Sequence, residues 1–155
     1  MKKKIKLFDR ISLINKRFKK NQLYHYFELP DVSIIIPVID KKFLVVSQKR
    51  IPINQFNLEF PCGWVDWSET PSESASRELI EETGYKSLNN PKKLITFYEE
   101  PGRMNSKAHC FFSKKLIKIT KPEKGIKIFF FNKKEIINLI KKNKFNNGTH
   151  IAAFY

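Results

Sequence analysis

The chain has 155 residues, 41% of them hydrophobic, enough to bury a core without disulfides or a structural metal. Its formal charge of +15 comes from 25 lysines and five arginines scattered along the whole length. Arginine is the better reader of phosphates and base edges, so this balance points away from nucleic acid as the main partner, while leaving a field that steers anions inward.

The cysteines, Cys62 and Cys110, are too few for a disulfide framework and fit free thiols in a reducing, cytoplasmic setting. Met1-Lys-Lys-Lys has the charge of a leader peptide but no apolar segment follows it. The longest apolar stretch, Val32–Ile39, is interrupted by Pro37 and far too short to span a bilayer, so no membrane partner is expected.

In chain order, residues 5–14 and 21–28 read as short strands on either side of the basic stretch Asn15–Asn21. Val32–Ile39 and Phe43–Gln48 read as a hairpin joined by Asp40-Lys41-Lys42. Ile51–Asn57 reads as loop, and Leu58–Phe60 as a short strand leading into Pro61-Cys62-Gly63. Thr70-Pro71-Ser72-Glu73 carries an N-cap, a proline at the first helical position and a capping box. Gly84 suits the left-handed residue past a helix end, so the helix spans Pro71 to Thr83.

Strands follow at Leu94–Tyr98, Ala108–Phe112, Leu116–Ile119 and Ile126–Phe131. Asn132-Lys-Lys-Glu135 is a second capping box, opening a helix to about Asn143, and Thr149 is the expected cap of a last helix. No repeat or linker divides residues 1–155, which read as one domain of the α+β class, an α/β/α sandwich with a mixed sheet between helices.

The segment from Gly63 to Tyr85 carries the chemistry. Glu78, Glu81 and Glu82 fall three and four residues apart and are expected on one side of the helix, opposite Ala75, Leu79 and Thr83. Like charges at these spacings repel, and they stand in the half of the helix whose dipole prefers cations. One reading is a solvated acidic edge paired with Arg77. The other is a site where hard Mg²⁺ or Mn²⁺ removes both penalties by taking carboxylate oxygens.

The wider pattern is Gly63, Glu69 after five residues, and Arg77-Glu78-Leu79-Ile80-Glu81-Glu82-Thr83-Gly84-Tyr85 after seven more. It resembles the Nudix box at every defined position. The resemblance implies the Nudix fold, with Glu78 and Glu82 as metal ligands for Mg²⁺ or Mn²⁺ and Glu81 close by in a catalytic position. It also implies that Gly63, Glu69, Arg77 and Gly84 hold the loop–helix–loop in shape.

The flanks Ser47-Gln-Lys-Arg50, Leu58-Glu-Phe-Pro-Cys-Gly63 and Pro101-Gly102 are similar to those of ADP-ribose and ADP-sugar pyrophosphatases. That likeness implies a Cys62 carbonyl ligand, phosphate contacts from Arg50 and Arg103, and a homodimer formed through residues 1–30. For Arg50 and Arg103 a plain surface role stands beside the phosphate role, and the Cys62 thiol reads as a small buried hydrophobe.

Trp64 and Trp67 either stack on a base or cover core or dimer surface, and His109 reads as structural. The implied reaction cuts a nucleoside diphosphate linked to another group; ADP-ribose would give AMP and ribose 5-phosphate. Relatives of this type carry an acidic loop before the last strand. Here it is Lys121-Pro-Glu-Lys-Gly-Ile126, leaving Glu123 as the candidate general base, with Glu99 or Glu100 as substitutes. The rival functions are another Nudix substrate (a dinucleotide polyphosphate, a GDP-sugar or a capped RNA) and a Nudix-fold module that binds a nucleotide without cutting it.

Overall fold

Alternation of side chains along β4 (Val32–Ile39) and β10 (Lys107–Ser113) builds the centre of the molecule, where the two strands run parallel. Ile34, Ile36 and Cys110 enter one core cluster with Phe60, Ile136, Phe145 and Ala153. Ile35 and Phe111 point the other way, onto Ala75 and Leu79. Both faces of the sheet are therefore covered, which explains why Ile34–Ile39 is apolar throughout instead of alternating.

The computed structural model describes residues 2–20 and 22–155. Met1, and Asn21 at the expected start of the second strand, lie outside the described residues. Around the central pair the order is β12 (Lys127–Phe131), β5 (Lys42–Arg50), β4, β10, β9 (Lys92–Tyr98). Two short strands attach beside this path, β6 (Gln55–Glu59) on β5 and β7 (Cys62–Trp64) on β4. Helix α1 (Pro71–Thr83) covers the Ile35 face, while α2 (Lys133–Lys141) and α3 (Gly148–Phe154) supply Ile136 and Ala153 to the opposite face. This is the expected mixed sheet between helices.

Asp40 and Lys41 both take positive φ, 48° and 63°, the backbone of a tight turn whose twist suits the β4–β5 hairpin. The α2 capping box at Asn132 and Glu135 forms as expected.

Four expectations are revised. The amino-terminal region is a separate antiparallel sheet of β1 (Lys2–Phe8), β2 (Ile11–Lys19) and β3 (Gln22–Glu28), reversing at Asp9-Arg10. Ile5, Leu7, Ile11 and Leu13 keep one phase on both sides of that reversal, which is marked only by Asp9 at the in-phase position and by Phe8 out of phase. β6 begins at Gln55, after a 3-10 turn at Ile51–Ile53, where loop was expected up to Asn57. A short strand β8 (Tyr85–Ser87) pairs with β11 (Leu116–Lys118) directly after α1. Finally, α3 is capped by Asn147, whose side chain accepts the Thr149 N–H at 3.1 Å, and Thr149 lies inside the helix.

The amino-terminal sheet is fastened at two places. Phe27 N–H donates to the Arg103 carbonyl (2.8 Å) and Asn105 N–H donates to the Phe27 carbonyl (3.3 Å). At the β1–β2 reversal, the Arg10 guanidinium stands over the Trp64 and Trp67 rings, 5.4 and 5.9 Å from their centroids, and donates to Asp66 and the Val65 carbonyl. His109 lies between Asp31 (2.9 Å) and Thr96 (3.1 Å), pinning the β3–β4 junction to the sheet. Both cysteines are free thiols, and among the described residues no helix is long and apolar enough to cross a membrane.

Candidate active site

Helix α1 starts and stops where local chemistry tells it to. Thr70 Oγ1 accepts the Glu73 N–H (3.3 Å), and the Glu73 carboxylate accepts the Thr70 N–H (2.7 Å). At the other end Gly84 takes φ 71° and donates its N–H to the Ile80 carbonyl. A side chain at Gly84 would overlap the Thr120 carbonyl, because the β11–β12 connection runs against the helix end. Ile119 N–H (2.9 Å) and Thr120 N–H (3.2 Å) donate to the Gly84 carbonyl, and Glu123 N–H donates to the Glu81 carbonyl (2.9 Å). The loop that carries Glu123 is thus stitched to the turn that carries Glu81.

The glutamates of that turn do not share one environment, contrary to the expectation of a single acidic face. Glu78 and Glu82 are buried, whereas Glu81 is exposed. Glu78 lies over Gly63 so closely that a Cβ there would displace its carboxylate, so glycine at this position lets Glu78 keep its place. Glu82 Oε2 accepts the Cys62 N–H at 3.1 Å, and Oε1 accepts the Gln48 amide at 2.9 Å. Both buried carboxylates therefore converge on the Cys62–Gly63 segment.

Arg77 ties this arrangement to the preceding loop. It donates to Glu69 (2.7 and 3.1 Å), Glu78 (2.6 Å), Glu81 (3.0 Å) and the Trp64 carbonyl (3.1 Å). Glu69 also accepts the Asp66 N–H at 2.8 Å, and the Arg77 hydrogen bonds hold its carboxyl below the usual range. Electrostatics at Glu82 go the other way. Burial, reinforced by the Glu78 charge, pushes its carboxyl up to about 8, because its hydrogen bonds come from neutral donors. Burial likewise raises Glu78 against the opposing pull of Arg77.

Across Cys62 stands a third buried carboxylate, Glu59. Arg50 pairs with it through two nitrogens, and Asn57 (3.0 Å) and Asn147 (3.3 Å) donate to its Oε1. Burial would raise Glu59, but the Arg50 hydrogen bonds and charge outweigh it and hold the carboxyl below its ordinary value. His150 accepts the Phe60 N–H at 3.1 Å and, being buried, is held down to about 4. Burial also raises the Cys62 thiol.

Arg50, Cys62, Gly63 and Glu99 line one cavity of about 190 Å³, with Glu99 held by the Ser106 hydroxyl at 2.6 Å. Glu123 is exposed in a cleft of about 480 Å³ with Glu81 and Lys121. Arg103 is exposed on the loop bound to β3. Sequence reading missed Gln48, Glu59, Asn147 and His150 as members of this neighbourhood. A lone glutamate between Leu58 and Phe60 is a legible sign of a paired carboxylate, but nothing local marks His150, which is 90 residues from Phe60.

Two buried carboxylates beside Gly63, Glu78 sharing Arg77 with Glu69 and Glu81 and Glu82 bonded to neutral donors, suit a hard divalent cation. The donor set fits Mg²⁺ or Mn²⁺ better than a softer ion.

A family model described as the NUDIX domain matches residues 29–153. An ADP-ribose pyrophosphatase of Bacillus subtilis (strain 168) is 31% identical over 107 residues, covering 68% of this chain and 56% of the relative. An ADP-sugar pyrophosphatase of Mus musculus is 41% identical over 61 residues, 36% of this chain and 28% of the relative. The chain thus spans about half or less of the length of these curated relatives. Among solved structures, a crystal structure of an ADP compounds hydrolase superposes with a TM-score of 0.78 at 18% identity, covering 93% of this chain and 81% of that one.

Proposed function

Because this chain belongs to the NUDIX domain family, we propose that it hydrolyses the diphosphate bond of a nucleoside diphosphate linked to another group, with ADP-ribose or an ADP-sugar as substrate. The products are AMP and a sugar phosphate, and the required ion is Mg²⁺ or Mn²⁺. The observation that carries this reading is the burial of Glu78 and Glu82 against Cys62–Gly63, with the Glu82 carboxyl pushed up to about 8. An enclosed pair of carboxylates that resists ionisation is stabilised when a dication joins it.

Glu78, Glu82 and the Cys62 carbonyl hold the ion in this reading, with Glu81 at its margin. A bound divalent ion neutralises charge on the diphosphate and makes water a better nucleophile. Arg50 and Arg103 orient the phosphates as planar donors. Glu123 takes a proton from the attacking water as its oxygen bonds to phosphorus, and the bridging P–O bond breaks with its electron pair staying on the leaving phosphate. Support for Glu123 is the bond from its N–H to the Glu81 carbonyl. Glu99 is a second reading for the proton acceptor, favoured by its place in the cavity with Cys62 and Gly63.

Residues 1–155 act as one domain in this reading, and the amino-terminal sheet serves a homodimer. Leu7, Phe8, Phe18, Leu23 and Phe27 are exposed there, an apolar surface that a second copy would cover. The test of the activity is a panel of ADP-ribose, ADP-glucose and dinucleotide polyphosphates with Mg²⁺, products being separated and identified. AMP release from the first two is expected; tight ADP-ribose binding without AMP would mark a binding module instead. Glu123→Gln should lower turnover about 100-fold while Glu99→Gln leaves it near wild type, and the reverse pattern assigns the proton acceptor to Glu99.

A further inference from the structure

Behind the Cys62–Gly63 segment, the side chains of Glu59, Cys62 and His150 form a set with no task in the proposed reaction. They are the trio of potential metal ligands whose donor atoms, among the described residues, lie within 4.8 Å of one another. Cys62 Sγ is 3.6 Å from His150 Nε2, and Nε2 is 3.9 Å from Glu59 Oε2. Those spacings approach the ligand–ligand edges of a tetrahedral zinc site, about 3.4–3.6 Å for Zn–N near 2.0 Å and Zn–S near 2.3 Å.

Hydrogen bonding decides otherwise. A backbone N–H only donates, so the Phe60 N–H facing His150 Nδ1 at 3.1 Å requires a lone pair on Nδ1. The ring proton then sits on Nε2, pointing at the sulfur and the carboxylate. An ion at Nε2 would need the second lone pair as well, leaving an imidazolate or an orphaned Phe60 N–H in the core. Glu59 already serves Arg50, Asn57 and Asn147, and the Arg50 guanidinium nitrogen 3.7 Å from Cys62 Sγ supplies the positive charge.

What the histidine does is mechanical. Asn147 and His150, at the start of α3, grip Glu59 and Phe60, the residues that lead into Cys62. The Cys62 N–H in turn holds Glu82 Oε2 at 3.1 Å. We propose that His150, fixed as the Nε2–H tautomer, is a positioning residue that ties α3 to the Phe60–Cys62 segment and so sets the orientation of Glu82. This inference rests on Glu82 being a metal ligand. Residues that orient ligands from outside the coordination sphere commonly change metal affinity 10–100-fold, and His150 acts through one further link.

The experiment has a wild-type arm and a variant arm. Nitrogen-15 spectra of the metal-free protein should show a bare Nδ1 and a protonated Nε2 for His150; an Nδ1–H tautomer overturns the proposal. Co²⁺ added to wild type should give no thiolate charge-transfer band, and a band that Cys62→Ser abolishes would restore the metal reading. In the variant arm, Mn²⁺ affinity is measured by electron paramagnetic resonance. His150→Leu should weaken binding about tenfold, whereas His150→Asn, which keeps an acceptor for the Phe60 N–H, should stay within about threefold of wild type. A folded His150→Leu protein with unchanged Mn²⁺ affinity sinks the positioning role. Undiminished Mn²⁺ binding by Glu82→Gln would instead sink the metal-ligand reading, so the two failures are told apart.

Discussion

Glu59 and Glu82 flank the same residue, Cys62, and burial pushes both carboxyls up, yet the net shifts run in opposite directions because their partners differ. Glu59 has a guanidinium and stays ionised below its ordinary range. Glu82 has an amide and a backbone N–H, and its carboxyl is pushed up to about 8. The contrast separates a finished ion pair from an unfinished one. On one side of Cys62 the chain supplies its own cation; on the other it builds the same kind of enclosure without one.

The largest break in that contrast comes from removing the charge of the unfinished side. Glu82→Gln keeps the shape, its amide oxygen accepting the Cys62 N–H while the Gln48 amide turns to accept from its NH2, so the fold should persist while turnover of ADP-ribose falls about 100- to 1000-fold. An undiminished rate in that assay would remove Glu82 from the site. Next is removal of the cation on the finished side. Arg50→Met strands a carboxylate that is 1% exposed, although Arg50 itself is 39% exposed. We expect a loss of about 2–3 kcal/mol in urea unfolding, less than the roughly 3–5 kcal/mol of a fully buried pair because water reaches Arg50. A change below about 0.5 kcal/mol would make the pair ornamental.

The smallest effect is a pH dependence that sharpens the contrast. Glu82 holds its proton more tightly folded (about 8) than unfolded (about 4.3), so its contribution favours the fold at low pH and is lost as pH rises through that window. Glu59 has the opposite sign: its contribution is present above the ordinary carboxylate range and is lost as pH falls. Full linkage between the two Glu82 values would remove about 3–4 kcal/mol between pH 5 and 8. Relaxation and water around the carboxyl reduce the loss expected of metal-free protein to about 1–2 kcal/mol, and Glu82→Gln or saturating Mg²⁺ should flatten the slope. A slope unaltered by both would show that Glu82 titrates normally.

Which parts of this were legible in sequence follows from how far apart the interacting groups lie. The bounds of α1 were readable because Thr70, Pro71, Glu73 and Gly84 act within one or two turns, and they fall where the structure has them. The metal roles of Glu78 and Glu82 were implied by the box, but their packing on Cys62–Gly63 was not, and helical spacing grouped Glu81 with them; contact with β7 buries Glu78 and Glu82 and leaves Glu81 outside. Gln48, Asn147 and His150 reach the site only because β5 and α3 pack around Glu59–Cys62, and no local pattern encodes that. The Asp9-Arg10 reversal was hidden for a different reason, an apolar phase shared by Ile5, Leu7, Ile11 and Leu13 on both sides of a turn with no glycine or proline.

The Arg10 clamp also gives the molecule a built-in optical probe. The chain has two tryptophans, and both stand against that one guanidinium. Their emission therefore reports whether the β1–β2 reversal is seated on the loop that opens the acidic helix, and undocking the amino-terminal sheet changes the fluorescence without any added label.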